Sequence, residues 1–85
     1  MIEDGQVEVH FYAAARAAVG RSTVTTSSGT LAVILAKLGQ DYPQFQAVLP
    51  RCSFLVDEVA VHGDPRQIVV GSGARLDVLP PFAGG

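Results

Sequence analysis

The chain has 85 residues, 48% of them hydrophobic and 16% charged, with a net charge of −2. A chain of this size forms one domain with one modest core, burying about 60–65% of the surface its unfolded form exposes, and its composition excludes a disordered polymer. Lys37 is the only lysine and Arg16, Arg21, Arg51, Arg66 and Arg75 stand singly, so no basic stripe is present to neutralise phosphates and no nucleic-acid partner is expected.

Cys52 is the only cysteine, which rules out an internal disulfide and points to a reducing compartment. Met1 to Gln6 lacks the basic-then-apolar pattern of a signal peptide, and the longest apolar runs fall far short of a membrane span. A soluble, cytoplasmic protein with no membrane partner is expected.

Val7-Glu8-Val9-His10-Phe11-Tyr12 alternates with the period of a strand, Val7, Val9 and Phe11 on one face and Glu8, His10 and Tyr12 on the more solvated one. The alanine-rich stretch from Ala13 to Ala18 reads as a turn or a single helical turn closed by Gly20. Ser22 to Thr26 is β-branched and polar, a second strand able to form a hairpin with the first. Ser27-Ser28-Gly29-Thr30 breaks the chain and offers Thr30 as a helix N-cap. Leu31, Ile34, Leu35 and Leu38 then lie on one apolar stripe, with Gly39 suited to the position just past the helix end and Pro43 beyond it.

Pro43 to Arg51 holds Phe45, Val48 and Leu49 and is read as a short second helical turn. Ser53 to Val56 reads as a strand, Asp57-Glu58 as a turn, and Val59 to His62 as an extended piece. Gly63-Asp64-Pro65 is a strong turn signal. Gln67 to Val70 is a short strand or a packed loop, Gly71-Ser72-Gly73 a further turn, and Arg75 to Leu79 the last strand. The order β-β-α-β-(β)-β, with one main helix on a small mixed sheet, predicts an α+β domain of the β-grasp (ubiquitin-like) type over residues 1–79.

Residues 80–85 form an extended tail of a different character. Pro80 and Pro81 have no N–H to donate, so the ladder of the last strand stops there, and paired prolines favour a stiff extended course. Phe82 is one large apolar side chain, Ala83 is small, and Gly84 and Gly85 have no Cβ and pass through a channel too narrow for side chains. Frayed ends are often rich in small residues, but Pro-Pro-Phe-Ala is not the polar sequence of a frayed end. The tail has the build of a segment that enters another protein's active site and presents the carboxylate of Gly85.

Read together, these stretches resemble the MoaD/ThiS family of ubiquitin-like sulfur carriers, in its MoaD-type branch. The resemblance rests on Val7 to Ala13 with Arg16 and Gly20, on Gly29-Thr30 ahead of the Leu31/Ile34/Leu35/Leu38 stripe, on Leu55-Val56-Asp57, and above all on Val78-Leu79-Pro80-Pro81-Phe82-Ala83-Gly84-Gly85. Gly71-Ser72-Gly73 replaces the family's common Asp-Gly-Asp turn, and Phe82 is larger than the residue usual there.

The resemblance implies that the Gly85 carboxylate, with Gly84 before it, is the reactive group. A carboxylate is ionised at neutral pH and is a poor electrophile; attack on ATP would give an acyl-adenylate, from which a persulfide sulfur displaces AMP to leave a thiocarboxylate. No cofactor is expected on this chain, and ATP belongs to the activating partner. The implied partners are an E1-like adenylating enzyme (MoeB type), a sulfur donor enzyme and a molybdopterin synthase large subunit (MoaE type). This chain would be the small subunit, donating sulfur for molybdopterin without a catalytic site of its own. Phe82 and Leu79, with Pro80, Pro81 and Ala83, are the expected contacts along the tail, and Tyr12 on the open sheet face. Alternatives are a carrier for thiamin thiazole, cysteine or tRNA sulfur, a ubiquitin-like modifier joined to lysines, and a β-grasp interaction module.

Other candidates are weak. Cys52 with His10 or His62 has no spacing that unites nucleophile and base, and two histidines are too few for a metal site. Gly71-Ser72-Gly73 lacks the helix start of a phosphate loop. Lys37 reads as a solvated lysine on the polar side of the helix.

Overall fold

Alternation along the first strand sets the direction in which the sheet faces. The structure, a computed structural model, describes residues 5–80. In β1 (Gln6–Phe11), Val7, Val9 and Phe11 are at most 1% exposed, whereas Glu8 between them is exposed. A strand with one apolar face is stable only where something covers that face.

The alanine-rich stretch is α1 (Ala13–Val19), longer than the single turn expected, because alanine is the best helix former and Ala15 and Val19 are drawn into the core. Gly20 ends it at φ 82°, its N–H donating to the Arg16 carbonyl at 2.8 Å, a left-handed cap that favours glycine. β2 (Thr23–Ser27) returns antiparallel to β1. A two-residue β3 (Gly29–Thr30) then precedes α2 (Leu31–Asp41), where the Thr30 side chain accepts from the Val33 N–H at 3.2 Å, the N-cap expected.

Leu31, Ile34, Leu35 and Leu38 are all buried, so the apolar stripe faces the sheet. Gly39 does not end the helix. The helix runs on to Asp41 with Tyr42 as its cap, and Gly39 lies buried within it. A Cβ at Gly39 would stand 3.1 Å from Gln46 Cγ, and Gln46 Nε2 donates to the Gly39 carbonyl at 2.9 Å. The glycine therefore serves close approach by α3 (Phe45–Val48), not a turn. Phe45 is fully buried and meets Phe11 edge-on, ring centroids 5.6 Å apart at 77°.

A short 3-10 turn at Leu49–Arg51 leads into β4 (Ser53–Val56), which forms a hairpin with β5 (Val59–Val61). Its two-residue loop, Asp57 and Glu58, has positive φ at both positions, 49° and 70°, as the strand twist requires of a tight hairpin. Asp64 caps a second 3-10 turn, Pro65–Gln67. β6 (Val69–Val70) pairs with β3 and lies outside the main sheet. Val70 is buried and Val69 exposed, so the Gln67 to Val70 run forms a two-residue bridge.

The last strand, β7 (Arg75–Leu79), lies parallel to β1 and antiparallel to β4. The main sheet has the order β2-β1-β7-β4-β5. It is the expected mixed sheet with one main helix across it, a β-grasp fold of the ubiquitin-like kind. Among the described residues no helix is long and apolar enough to cross a membrane.

Candidate functional site

β7 is the central strand, and the chain leaves the sheet from it. Ladders on both sides hold it: Val9↔Leu76 and Phe11↔Val78 with β1, Leu55↔Asp77 and Ser53↔Leu79 with β4. Leu76 and Val78 are fully buried against the helix side. The exit point is therefore on the central strand of the sheet, paired along both of its edges. Because β1 and β7 run parallel, Tyr12, next after Phe11, lies at the same end of the sheet as Leu79 and Pro80. The expected contacts Pro81, Phe82 and Ala83, and the reactive Gly84 and Gly85, lie outside the described residues.

Arg75, Asp77 and Leu79 alternate with the buried residues of β7 and so belong to the face that no helix covers. Leu79 and Pro80 are half-buried, Leu79 beside Ser53. Asp77 is only 3% exposed although it is on the open face. The Tyr12 hydroxyl donates to its Oδ1 at 3.1 Å and Arg75 Nε donates to the same oxygen at 2.9 Å, while Arg75 Nη2 donates to the Tyr12 oxygen at 2.8 Å. The three groups close a triangle, which lets a carboxylate be buried without an orphaned charge. The Asp77 carboxylate, and then the Tyr12 hydroxyl, hold the Arg75 guanidinium above its ordinary value.

Tyr12 is thus a half-buried phenol whose hydroxyl is locked in a network with Asp77 and Arg75. Asp77 and Arg75 were not singled out from the sequence. The available signal was Arg-x-Asp on one face of a strand, facing a tyrosine one strand away.

Asp57 braces the same strand from the other end: its N–H donates to the Arg75 carbonyl at 2.8 Å and its Oδ1 accepts the Arg75 N–H at 2.9 Å. Elsewhere the chemistry is bland. Cys52 is half-buried with its thiol directed at the Val48 carbonyl at 3.4 Å, and burial pushes the thiol above its ordinary value, away from the reactive thiolate. His10 Nε2 lies 2.8 Å from Glu8 Oε1, and His62 is exposed. Lys37 pairs with Asp41 at 3.1 Å on an exposed helix face. Among the described residues no three His, Cys, Asp or Glu side chains stand together as a metal site requires.

The model of the ThiS family matches residues 9–85, nearly the whole chain and including the tail. The chain belongs to the ThiS family. No curated protein sequence matches it. Solved structures similar to this ThiS-family chain include small archaeal modifier protein 1 from Methanosarcina acetivorans, at TM-score 0.83 and 19% identity, covering 98% of this chain and 99% of that one. The same-named protein from Haloferax volcanii aligns at TM-score 0.81 and 20% identity, over 95% and 100% of the two chains. A chain of the complex between subunits 1 and 2 of the Helicobacter pylori molybdopterin-converting factor aligns at TM-score 0.71 and 20% identity, over 94% and 99%. At such identities the likeness concerns the fold, which these chains share over most of their length.

Proposed function

We propose that this chain is a sulfur carrier whose Gly85 carboxylate is adenylated and converted to a thiocarboxylate, and that it donates the sulfur in molybdopterin synthesis. The observation that carries the reading is the family match running through to Gly85, over a tail of Pro-Pro-Phe-Ala-Gly-Gly that springs from the central strand. An E1-like enzyme supplies the ATP site. The carboxylate oxygen attacks the α-phosphorus of ATP and pyrophosphate leaves. The outer sulfur of a donor persulfide then attacks the acyl carbon and AMP leaves; a second thiol of the donor cleaves the resulting acyl disulfide, releasing the thiocarboxylate and leaving a disulfide on the donor. The chain's own part is positional: a fixed exit, a stiff Pro80-Pro81 stalk, Phe82 as an apolar anchor and a tip without side chains.

Likeness to a subunit of the molybdopterin-converting factor complex supports a large subunit of MoaE type as the acceptor. Likeness to two small archaeal modifier proteins favours a second reading, in which the same activated glycine is joined to lysines of other proteins.

Intact-mass measurement after incubation with ATP, an E1-like enzyme and a persulfide donor tests the proposal. The expected result is a gain equal to exchanging one oxygen for sulfur, localised to Gly85 and abolished by deleting Gly84 and Gly85. No gain with an activating enzyme competent on a known carrier would refute it; an isopeptide remnant on target lysines would support the modifier reading. Phe82→Asp is expected to weaken binding to the activating enzyme by about tenfold in a titration while thermal stability stays unchanged.

A further inference from the structure

The β2 edge of the sheet, two strands from β7, carries a feature the carrier reading does not use. β2 is an edge strand. The Phe11 N–H bonds the Ser22 carbonyl and the Ser28 N–H bonds the Gly5 carbonyl, so in this register Ser22, Val24, Thr26 and Ser28 turn their backbone groups towards β1. Thr23, Thr25 and Ser27 alternate with them and turn their N–H and C=O groups outward, where no strand among the described residues pairs with them. Beside that edge Thr26, Ser27, Ser28, Val33, Ile34 and Lys37 line a hollow of about 120 Å³ between β2 and α2. Val33 is 64% exposed at its mouth, a large apolar side chain left in water on a helix whose leucines and isoleucine are buried.

We propose that this edge and hollow form a docking groove for an extended peptide segment of a partner protein, carrying a branched aliphatic side chain next to an acidic one. The segment adds to β2 as a sixth strand, exchanging hydrogen bonds with Thr23, Thr25 and Ser27. Side chains on its helix-facing side point as Val24 and Thr26 do, towards α2, and one of them enters the hollow. The volume suits a group of four to six carbons, since a dry cavity of roughly 150 Å³ holds benzene. The acidic neighbour is specified by Lys37, the cation on the rim. Its partner Asp41 forms an exposed i,i+4 pair, which holds the ammonium only weakly and leaves it free to be shared. The groove lies at the Ser27 end of β2, which is the Gln6 end of β1, opposite the end from which the tail leaves. A segment bound there does not reach the Leu79 end of β7.

The test is an amide-resolved NMR titration of the full chain with the capped peptide Thr-Val-Ile-Val-Glu-Thr. Saturable shifts are expected at residues 23–28 and 33–37, with half-saturation below about 1 mM. Thr25→Pro removes an outward N–H that no described residue uses, a change edge strands tolerate, and is expected to weaken binding at least about tenfold. Val33→Asp is expected to do the same and decides the matter if the proline variant does not fold. Exchanging the peptide's glutamate for lysine should weaken binding severalfold, and Lys37→Glu should reverse that preference. Absence of shifts at 1 mM peptide would overturn the proposal, as would shifts centred on the open sheet face or unchanged affinity in a folded Thr25→Pro. Concentration-dependent shifts at β2 without peptide would assign the edge to a second copy of the chain and overturn it too.

Discussion

The two faces of the five-stranded sheet are made by alternate residues of the same strands, yet they are held together by different physics. On the helix side Val7, Val9, Phe11, Leu76 and Val78 are at most 1% exposed and touch other apolar groups. On the open side Tyr12, Arg75 and Asp77 are joined by directed hydrogen bonds, and Asp77 is as buried as many core residues. The first face is non-directional and tolerant in detail; the second fixes atoms. The difference teaches that a strand buried on both sides need not be apolar on both. Covering the open face with a closed polar network leaves it solvated enough to exist alone and rigid enough to hold the tail's exit.

Cutting into the packed face should have the largest effect. Phe45→Ala removes the ring that meets Phe11 and is expected to cost about 3–5 kcal/mol, a large part of the stability of a small domain, read as a fall in the urea midpoint. A loss below about 1 kcal/mol would break the contrast. On the open face the expected losses are smaller. Arg75→Ala withdraws one donor from the buried Asp77 carboxylate, and because the Arg75 side chain is 41% exposed its fall in the urea midpoint should be clearly smaller than that of Phe45→Ala. Tyr12→Phe removes the hydroxyl alone and should cost about 1 kcal/mol; the double variant should fall short of the sum, since each residue supports the other.

The hairpin loop belongs to neither face and sharpens the comparison from outside. Glu58 is a non-glycine residue at φ 70°, so Glu58→Gly is expected to stabilise by about 0.5 kcal/mol, the relieved strain being partly offset by glycine's entropy. Smallest of all is the solvent-facing Asp64, where side-chain and backbone hydrogen bonds from Arg66 hold the carboxyl below its ordinary value. Its slight stabilising contribution is present above the unfolded-state value and is lost as pH falls through the folded one. An NMR titration of Asp64 should show the midpoint rising in Arg66→Ala.

Local signals were legible where one residue type answers one local demand. β4 and β7 have the bounds their alternation predicts, Thr30 caps α2, and Gly20 closes α1. Gly39 misled because a glycine near a helix end has two uses, a left-handed cap or a close approach, and only the position of Gln46 distinguishes them. Tyr12 was legible as an open-face residue but not as part of a triangle, because its partners lie more than 60 positions away along the chain.

By itself the sequence determined the alternation of β1, the apolar stripe of α2, the turn chemistry and the composition of the tail, all set by side-chain sterics and polarity within a few residues. Tertiary structure alone decided that β7 lies between β1 and β4, that β6 pairs with β3, that Asp77 can be buried on the open face, and that β2 is left with a free edge beside a hollow. Those features join residues distant along the chain. Their energies depend on which surfaces the packed core brings together, and periodicity over a few residues carries no record of that choice.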